Sequence, residues 1–418
     1  MSHVSSNPAG ALSHVARFYM AATAVSVVGS VIALLAATAT ATAAGGLDRG
    51  AMYAGVYMAL VLVASALALP YAPRYCFRLG TRRSFAGAQS LAAIAWLLAG
   101  TLLLLGVAPM PVLLVAAPFF GAFAGTTTVL KPALAKAYLA TPRVSTSQAR
   151  MSVVSGVAWA AGAMAGGTLL NSVALGWGLV INGVLSMPLA LIVLRITPTV
   201  AVHEPVTRGR PWHDIRVALS ESAPLRAATV LGCAMTLFLF PMVSLIVPIT
   251  QQLRHEPLLI GAGLLIATMG IGEMFSPLIL RALSAGRDEF PAATVSAALA
   301  GGTLIAFGVT SLVLSDVPEL VAWAIIGLAL GALNYATKAL AIGAAAESRG
   351  PEQATRSLAS CMLVVGLFAP IGVLAWSLLI SGFSAVGLLL LACGCGTIVL
   401  GLLLNHNHYR RASRACNG

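Results

Sequence analysis

Apolar and polar positions alternate along this chain in long blocks rather than at short period. Twelve apolar runs stand out, at roughly 19–43, 52–72, 85–107, 112–138, 151–171, 174–195, 224–250, 258–283, 291–314, 317–345, 355–381 and 383–405. Each is long enough to cross a hydrocarbon core, about 30 Å thick, as a helix of roughly 20 residues. The pattern predicts an all-α membrane protein of twelve transmembrane helices. The longest polar connection, 197–222, leaves six runs on either side. It predicts an N-terminal six-helix bundle over 1–196, a linker over 197–222 and a C-terminal six-helix bundle over 223–418. Pro211 suits the first position of a helix, so Trp212 to Ser222 is expected to lie along the membrane surface.

Composition agrees with the pattern. Charged residues make up 9% of the chain and apolar residues 59%, with a mean hydropathy of +0.93, whereas a soluble domain carries about 25% charged residues. The net charge of +12 has an orientational cause. Of 24 Lys and Arg, 20 fall in the connections or within two residues of a run end on the side shared with the N-terminus, 2 (Arg49 and Arg254) fall on the other, and Lys131 and Lys338 lie deeper within runs. By the positive-inside rule both termini are cytoplasmic, and the basic face meets the anionic inner leaflet. No basic stripe is interleaved with aromatics, so no nucleic-acid partner is expected. The first run is too long, at about 25 apolar residues, for a signal peptide, and is expected to remain as a helix. None of the six cysteines falls in an external connection, and Cys393-Gly-Cys395 has neither zinc nor redox spacing.

The two halves show a weak internal repeat. Gly125-Thr-Thr-Thr-Val-Leu-Lys131 in run 4 corresponds to Gly331-Ala-Leu-Asn-Tyr-Ala-Thr-Lys338 in run 10, offset by a residue. Such 6+6 repeats are used by alternating-access carriers, with the substrate site between the halves.

Between runs 2 and 3 stands Pro73-Arg-Tyr-Cys-Phe-Arg78-Leu-Gly80-Thr-Arg82-Arg83. This segment resembles the signature loop of the major facilitator superfamily. Arg78, Gly80, Arg82 and Arg83 match that signature, Pro73 replaces its first Gly, and Phe77 stands at its Asp position. Gly162-Ala-Met-Ala-Gly166-Gly167 in run 5 is similar to the end of the glycine-rich motif of the superfamily's exporters, with Ala163 in place of the usual Pro. The resemblance covers essentially the whole chain and extends to small bacterial exporters of drugs, siderophores and secondary metabolites. It implies a cytoplasmic gate at Arg78, Gly80, Arg82 and Arg83, and a cavity lined by runs 1, 4, 7 and 10. Physically, Gly80 permits a tight turn, and Gly162, Gly166 and Gly167 allow close helix packing.

The candidate chemistry is sparse. Glu273 is the one acidic residue read inside an apolar run, the other eleven Asp and Glu being assigned to connections. A carboxylate at bilayer depth is costly and marks a functional position, here a proton carrier or a counter-charge. Lys131 and Lys338 either snorkel to the headgroups or face the cavity, where they bind an anionic cargo or pair with Glu273. Asn334, Tyr335 and Thr127 are cavity candidates on the superfamily resemblance. Asn182 adds a further polar group, and Tyr19 and Trp159 are read as packing residues. Pro132 frees a carbonyl one turn earlier, which Thr126 to Thr128 are placed to use.

No P-loop, metal-ligand spacing or nucleophile elbow is present, so neither an enzyme nor a self-contained ATP-driven pump is expected. The reading is a secondary transporter of a bacterial inner membrane that exports a small organic molecule in exchange for protons, as a monomer and without a cofactor. The rival readings are an uptake permease for a small nutrient, and a facilitator-derived protein that serves as a membrane partner or sensor.

Overall fold

A computed structural model of the chain describes residues 14–140, 144–198, 223–254, 259–285, 289–314, 316–347, 354–382 and 386–416. The expected linker lies outside the described residues from 199 to 222. Among the described residues, twelve helices are long and apolar enough to cross a membrane: His14–Gly46, Arg49–Ala68, Thr81–Leu104, Pro109–Thr128, Arg150–Leu169, Gly176–Arg195, Leu225–Ser244, Ile260–Ser284, Phe290–Val313, Pro318–Ala341, Cys361–Gly382 and Val386–His406. They are called spans 1 to 12 below. Several helices run beyond these limits, span 4 continuing to Leu139 and span 10 to Glu347.

The helix breaks have identifiable causes. Spans 1 and 2 form one helical stretch, His14–Ala68, broken at Gly46 (φ 64°), a left-handed conformation natural to glycine. Span 7 comes in three pieces, Ala223–Phe238, Phe240–Ser244 and Ile246–Arg254. Pro241 and Pro248 each lack an N–H and crowd the carbonyl four residues back, so the ladder fails at Leu239 and Leu245. Beside Pro132, Thr126 to Thr128 do not use the freed carbonyl as expected. Their hydroxyls instead donate to Ala122 and Ala124, one turn back along their own helix.

Spans 1 to 6 pack on one another, as do spans 7 to 12, and two seams join the sets, span 5 on span 8 and span 2 on span 11. The repeat is visible in glycine contacts. Gly121 and Gly125 seat span 4 on the backbone of span 2 at Val61 and Ser65, while Gly327 and Gly331 seat span 10 on span 8 at Leu265, Thr268 and Met269. The glycine pairs therefore match at the same spacing, while Lys131 and Lys338 stand one residue out of register.

The two ends of the bundle are unlike. Both described termini, with the last described residues of spans 2, 4, 6, 8 and 10, lie at what we call the terminal end. At the far end one buried cluster draws on both halves, including Leu35, Tyr57, Leu113 and Ala117 from the first and Met242, Ile246, Ile266 and Trp376 from the second. At the terminal end the buried clusters divide. One contains Tyr19, Phe85, Leu134 and Val193 of the first half, and two others contain Leu231, Phe290 and Leu340, and Leu225 and Cys361, of the second. The buried packing is thus shared between the halves at the far end and divides toward the terminal end; the interface between the halves at that end is called the lumen below.

Candidate functional site

Helix stripes show which side chains line this lumen. On span 8, Leu259, Ala262, Ile266 and Met269 recur at helical spacing and are buried in the cross-half cluster. Glu273 is the next member of that stripe. The exposed Phe275 and Leu278 lie about 140–200° around the helix at 100° per residue, so they face lipid and Glu273 faces inward. On span 4, Leu113, Ala117 and Phe120 are buried, and the same stripe continues through Ala124 to Lys131. The lipid face, marked by exposed Val115 and Phe119, is about 120–160° away. By this phase Lys131 lies on the side of span 4 away from Val115 and Phe119. It lies about 12 Å from the end of its helix at Leu139, and Glu273 about 16 Å from the end of its own at Ser284.

Glu273 is within electrostatic reach of two groups of span 10, Lys338, which is exposed, and Tyr335, which is half-buried. The hydroxyl of Tyr335 is hydrogen-bonded to Ser152 of span 5, so this contact joins the two halves on the terminal side of the seam. The seam is built from glycine. A Cβ on Gly156 would lie 2.5 Å from the Gly270 carbonyl oxygen, and one on Gly270 would lie 2.8 Å from that of Gly156. This bare backbone contact, three residues before Glu273, brings span 8 against span 5.

The remaining candidates separate. Lys131 belongs to the other half, and among the described residues no charged group acts on it. Asn334 is half-buried one turn before Lys338. Thr127 is buried, its hydroxyl donating to Ala124, whereas its neighbour Thr128 is exposed. Asn182 is 2% exposed and packs against Gly29 of span 1, accepting from Ser186. Gly162 and Gly166 seat span 5 on span 1, and Gly167 meets Gly263 of span 8. Tyr19 stacks on Tyr138 with ring centroids 4.6 Å apart.

The loop residues of the expected gate are placed as follows. Gly80 (φ 80°) forms the turn into span 3 and donates its N–H to the Cys76 carbonyl. Arg82 donates from Nε to Val193 (2.9 Å) and from Nη2 to Leu194 (3.0 Å) and Ile196 (2.9 Å). These are carbonyls at the end of span 6, left without partners by the end of the helix. Tyr138 donates to two of the same oxygens. Arg82 therefore caps a helix of its own half, and Arg78 and Arg83 are exposed. The side chain of Phe77 lies outside those described.

One expectation about the acids is corrected. Glu319, assigned to a connection, lies within span 10 and is 6% exposed. Its place one turn before Trp323, at the start of an apolar helix, was the available signal. Ser152 and Thr128 carried none, since single hydroxyls are common in membrane helices.

Comparison with known proteins agrees with this architecture. No curated protein matches the sequence. Among solved structures, a point mutant of the nucleoside transporter NupG superposes with a TM-score of 0.68 at 10% identity, covering 92% of this chain and 98% of that one. The human organic anion transporter MFSD10 (TETRAN) superposes at 0.67 with 15% identity, over 93% and 99%. At such identities the likeness is one of fold. The model of the Major Facilitator Superfamily matches residues 18–373. This chain, a secondary transporter of twelve membrane helices, belongs to the major facilitator superfamily.

Proposed function

We propose that the chain exports a small organic molecule in exchange for protons, by alternating access, from a bacterial cytoplasm across the inner membrane. Both termini are cytoplasmic in this reading, so the lumen opens to the side from which an exporter loads. The 20-to-2 distribution of basic residues supports that orientation. The glycine pattern of span 5 supports export, through its resemblance to the exporters of the superfamily.

The observation that carries the proposal is Glu273. It is an acid on the inward stripe of span 8, where the buried cross-half cluster ends and the lumen begins. Its partner Lys338 is on the neighbouring helix of the same half. Its other neighbour, Tyr335, is tied to the opposite half through Ser152. A carboxyl so placed meets water when the lumen is open and protein when it is closed, so its proton is exchanged in step with the conformational change. Loss of the proton leaves a carboxylate beside Lys338, and its return leaves Lys338 free for the cargo or for solvent.

Glu273→Gln keeps shape and hydrogen bonding but cannot ionise. In proteoliposomes it is expected to preserve protein level and cargo binding, to abolish transport driven by a proton gradient, and to leave counterflow intact. Glu273→Asp is expected to keep part of the driven rate. Full gradient-driven transport by the Gln variant would make Glu273 a structural residue and remove the coupling mechanism.

A further inference from the structure

We propose that Lys131 is the anion receptor of the lumen, and that the cargo is a small organic anion bearing a carboxylate or hydroxamate. The inference rests on the reading of the lumen as the transport path and adds the chemical class of what passes through it.

Three observations converge. Lys131 lies on the inward stripe of span 4, past Ala117, Phe120 and Ala124, and away from the lipid-facing Val115 and Phe119. It stands about 12 Å from the end of its helix at Leu139, three residues beyond the membrane-crossing stretch Pro109–Thr128 and so toward the mouth. Lys338, in span 10, is within electrostatic reach of Glu273, whereas among the described residues no acid is shown acting on Lys131.

An ammonium held among packed helices without a counter-ion is costly. A ligand that supplies the missing charge recovers that cost on binding, and an ammonium donates three hydrogen bonds to an oxyanion. A cation would face Lys131 across the lumen and be repelled. Exposed Thr128, one turn along the same helix, supplies a neutral hydroxyl beside the receptor. The open end is also basic, with Arg17, Lys136, Arg150 and Arg226 at the ends of spans 1, 4, 5 and 7. Those charges set the orientation of the chain, and they also raise the local concentration of an approaching anion. The division of labour is then simple. Lys131 holds the cargo in one half, Glu273 and Lys338 manage the proton in the other, and closure of the lumen brings the two together.

The test uses the purified full-length protein in nanodiscs at neutral pH. The probes are salicylate, cinnamate and octanoate, each with its matched neutral amide and its matched amine, and the readout is the ligand-induced rise in thermal midpoint with concentration. At least one carboxylate is expected to stabilise the protein while its amide and amine do not. Lys131→Met is expected to weaken that binding about 10- to 100-fold, the range for a lost charge-assisted hydrogen bond. Lys131→Arg is expected to retain most of it. Lys136→Gln, which removes a charge at the mouth, is expected to leave the affinity within about twofold, as screening requires of an exposed charge. Absence of a carboxylate-specific shift across the panel overturns the proposal, as does an equal shift from the amides or a Lys131→Met protein that binds as before. A Glu273→Gln protein that still runs on a proton gradient removes the coupling reading and leaves the Lys131 result standing.

Discussion

Gly156 offers the sharpest test of how the two halves move. A methyl group there would stand 2.5 Å from the Gly270 carbonyl oxygen and 2.8 Å from Cγ of Met274. Carbon atoms in contact prefer about 3.5–4.0 Å, so the span 5–span 8 seam must part by close to 1 Å. The carbonyl belongs to helix backbone and cannot turn aside, whereas Met274 can. Overpacking of this kind costs about 1–3 kcal/mol. The contact lies between the halves rather than within either, so the cost falls on whichever state holds the seam this tightly. Gly156→Ala is therefore expected to lower the population of the state described above by about 5- to 150-fold. Thr128→Cys, exposed in the open lumen, serves as reporter in sealed vesicles with the terminal-bearing face outward. A membrane-impermeant thiol reagent is expected to label it more slowly when Gly156→Ala is present. Gly167→Ala, whose methyl would stand 3.1 Å from both the Gly263 Cα and the Leu259 carbonyl oxygen, is expected to have a smaller effect. Gly302→Ala, which meets nothing within 4 Å, is expected to have none. Equal labelling rates in all three variants, with protein levels maintained, would show that the seam keeps its spacing through the cycle and would refute the reasoning.

Two further substitutions probe contacts that the sequence did not reveal. Arg82→Gln leaves carbonyls at the end of span 6 without their charged donor and is expected to cost about 2 kcal/mol. A lowered thermal midpoint with conformational bias unchanged is the expected result, and an unchanged midpoint would deny Arg82 its capping role. Tyr335→Phe removes the hydroxyl bonded to Ser152. Hydrogen bonds between membrane helices contribute about 0.6–1.7 kcal/mol, so labelling of the Thr128→Cys reporter is expected to fall by about threefold or more, and Ser152→Ala should match it.

Much of the architecture was legible because one physical quantity, the apolar length needed to cross a bilayer, sets it. All twelve runs became spans, with limits moved by up to ten residues. Glu273 was legible for the same reason, as a polar exception on an apolar helix. What was not legible depends on three-dimensional neighbours. The capping contacts of Arg82 follow from where span 6 ends, which its motif does not state. Thr128 and Thr127 look alike in sequence, and only the rotation of span 4 separates an exposed hydroxyl from a buried one. Glu319 sits where an apolar run begins, and hydropathy alone does not say on which side of such a boundary an acid falls. The open side of the lumen has no sequence signature, because one set of apolar faces must serve both states of an alternating-access carrier.

The turn between the first two spans bears on how the protein is made. Gly45, Gly46 and Gly50 close it almost without a loop. A Cβ on Gly45 would lie 2.7 Å from the Gly50 nitrogen, and one on Gly50 would lie 2.6 Å from the Thr42 carbonyl oxygen. Two helices so tightly joined can leave the ribosome and enter the bilayer as a single hairpin, before the basic loop that follows has been translated in full. Three glycines would then fix the threading of all the later spans during synthesis, and a bulky side chain at Gly50 would be read as a biogenesis defect, in protein that fails to insert rather than protein that fails to transport.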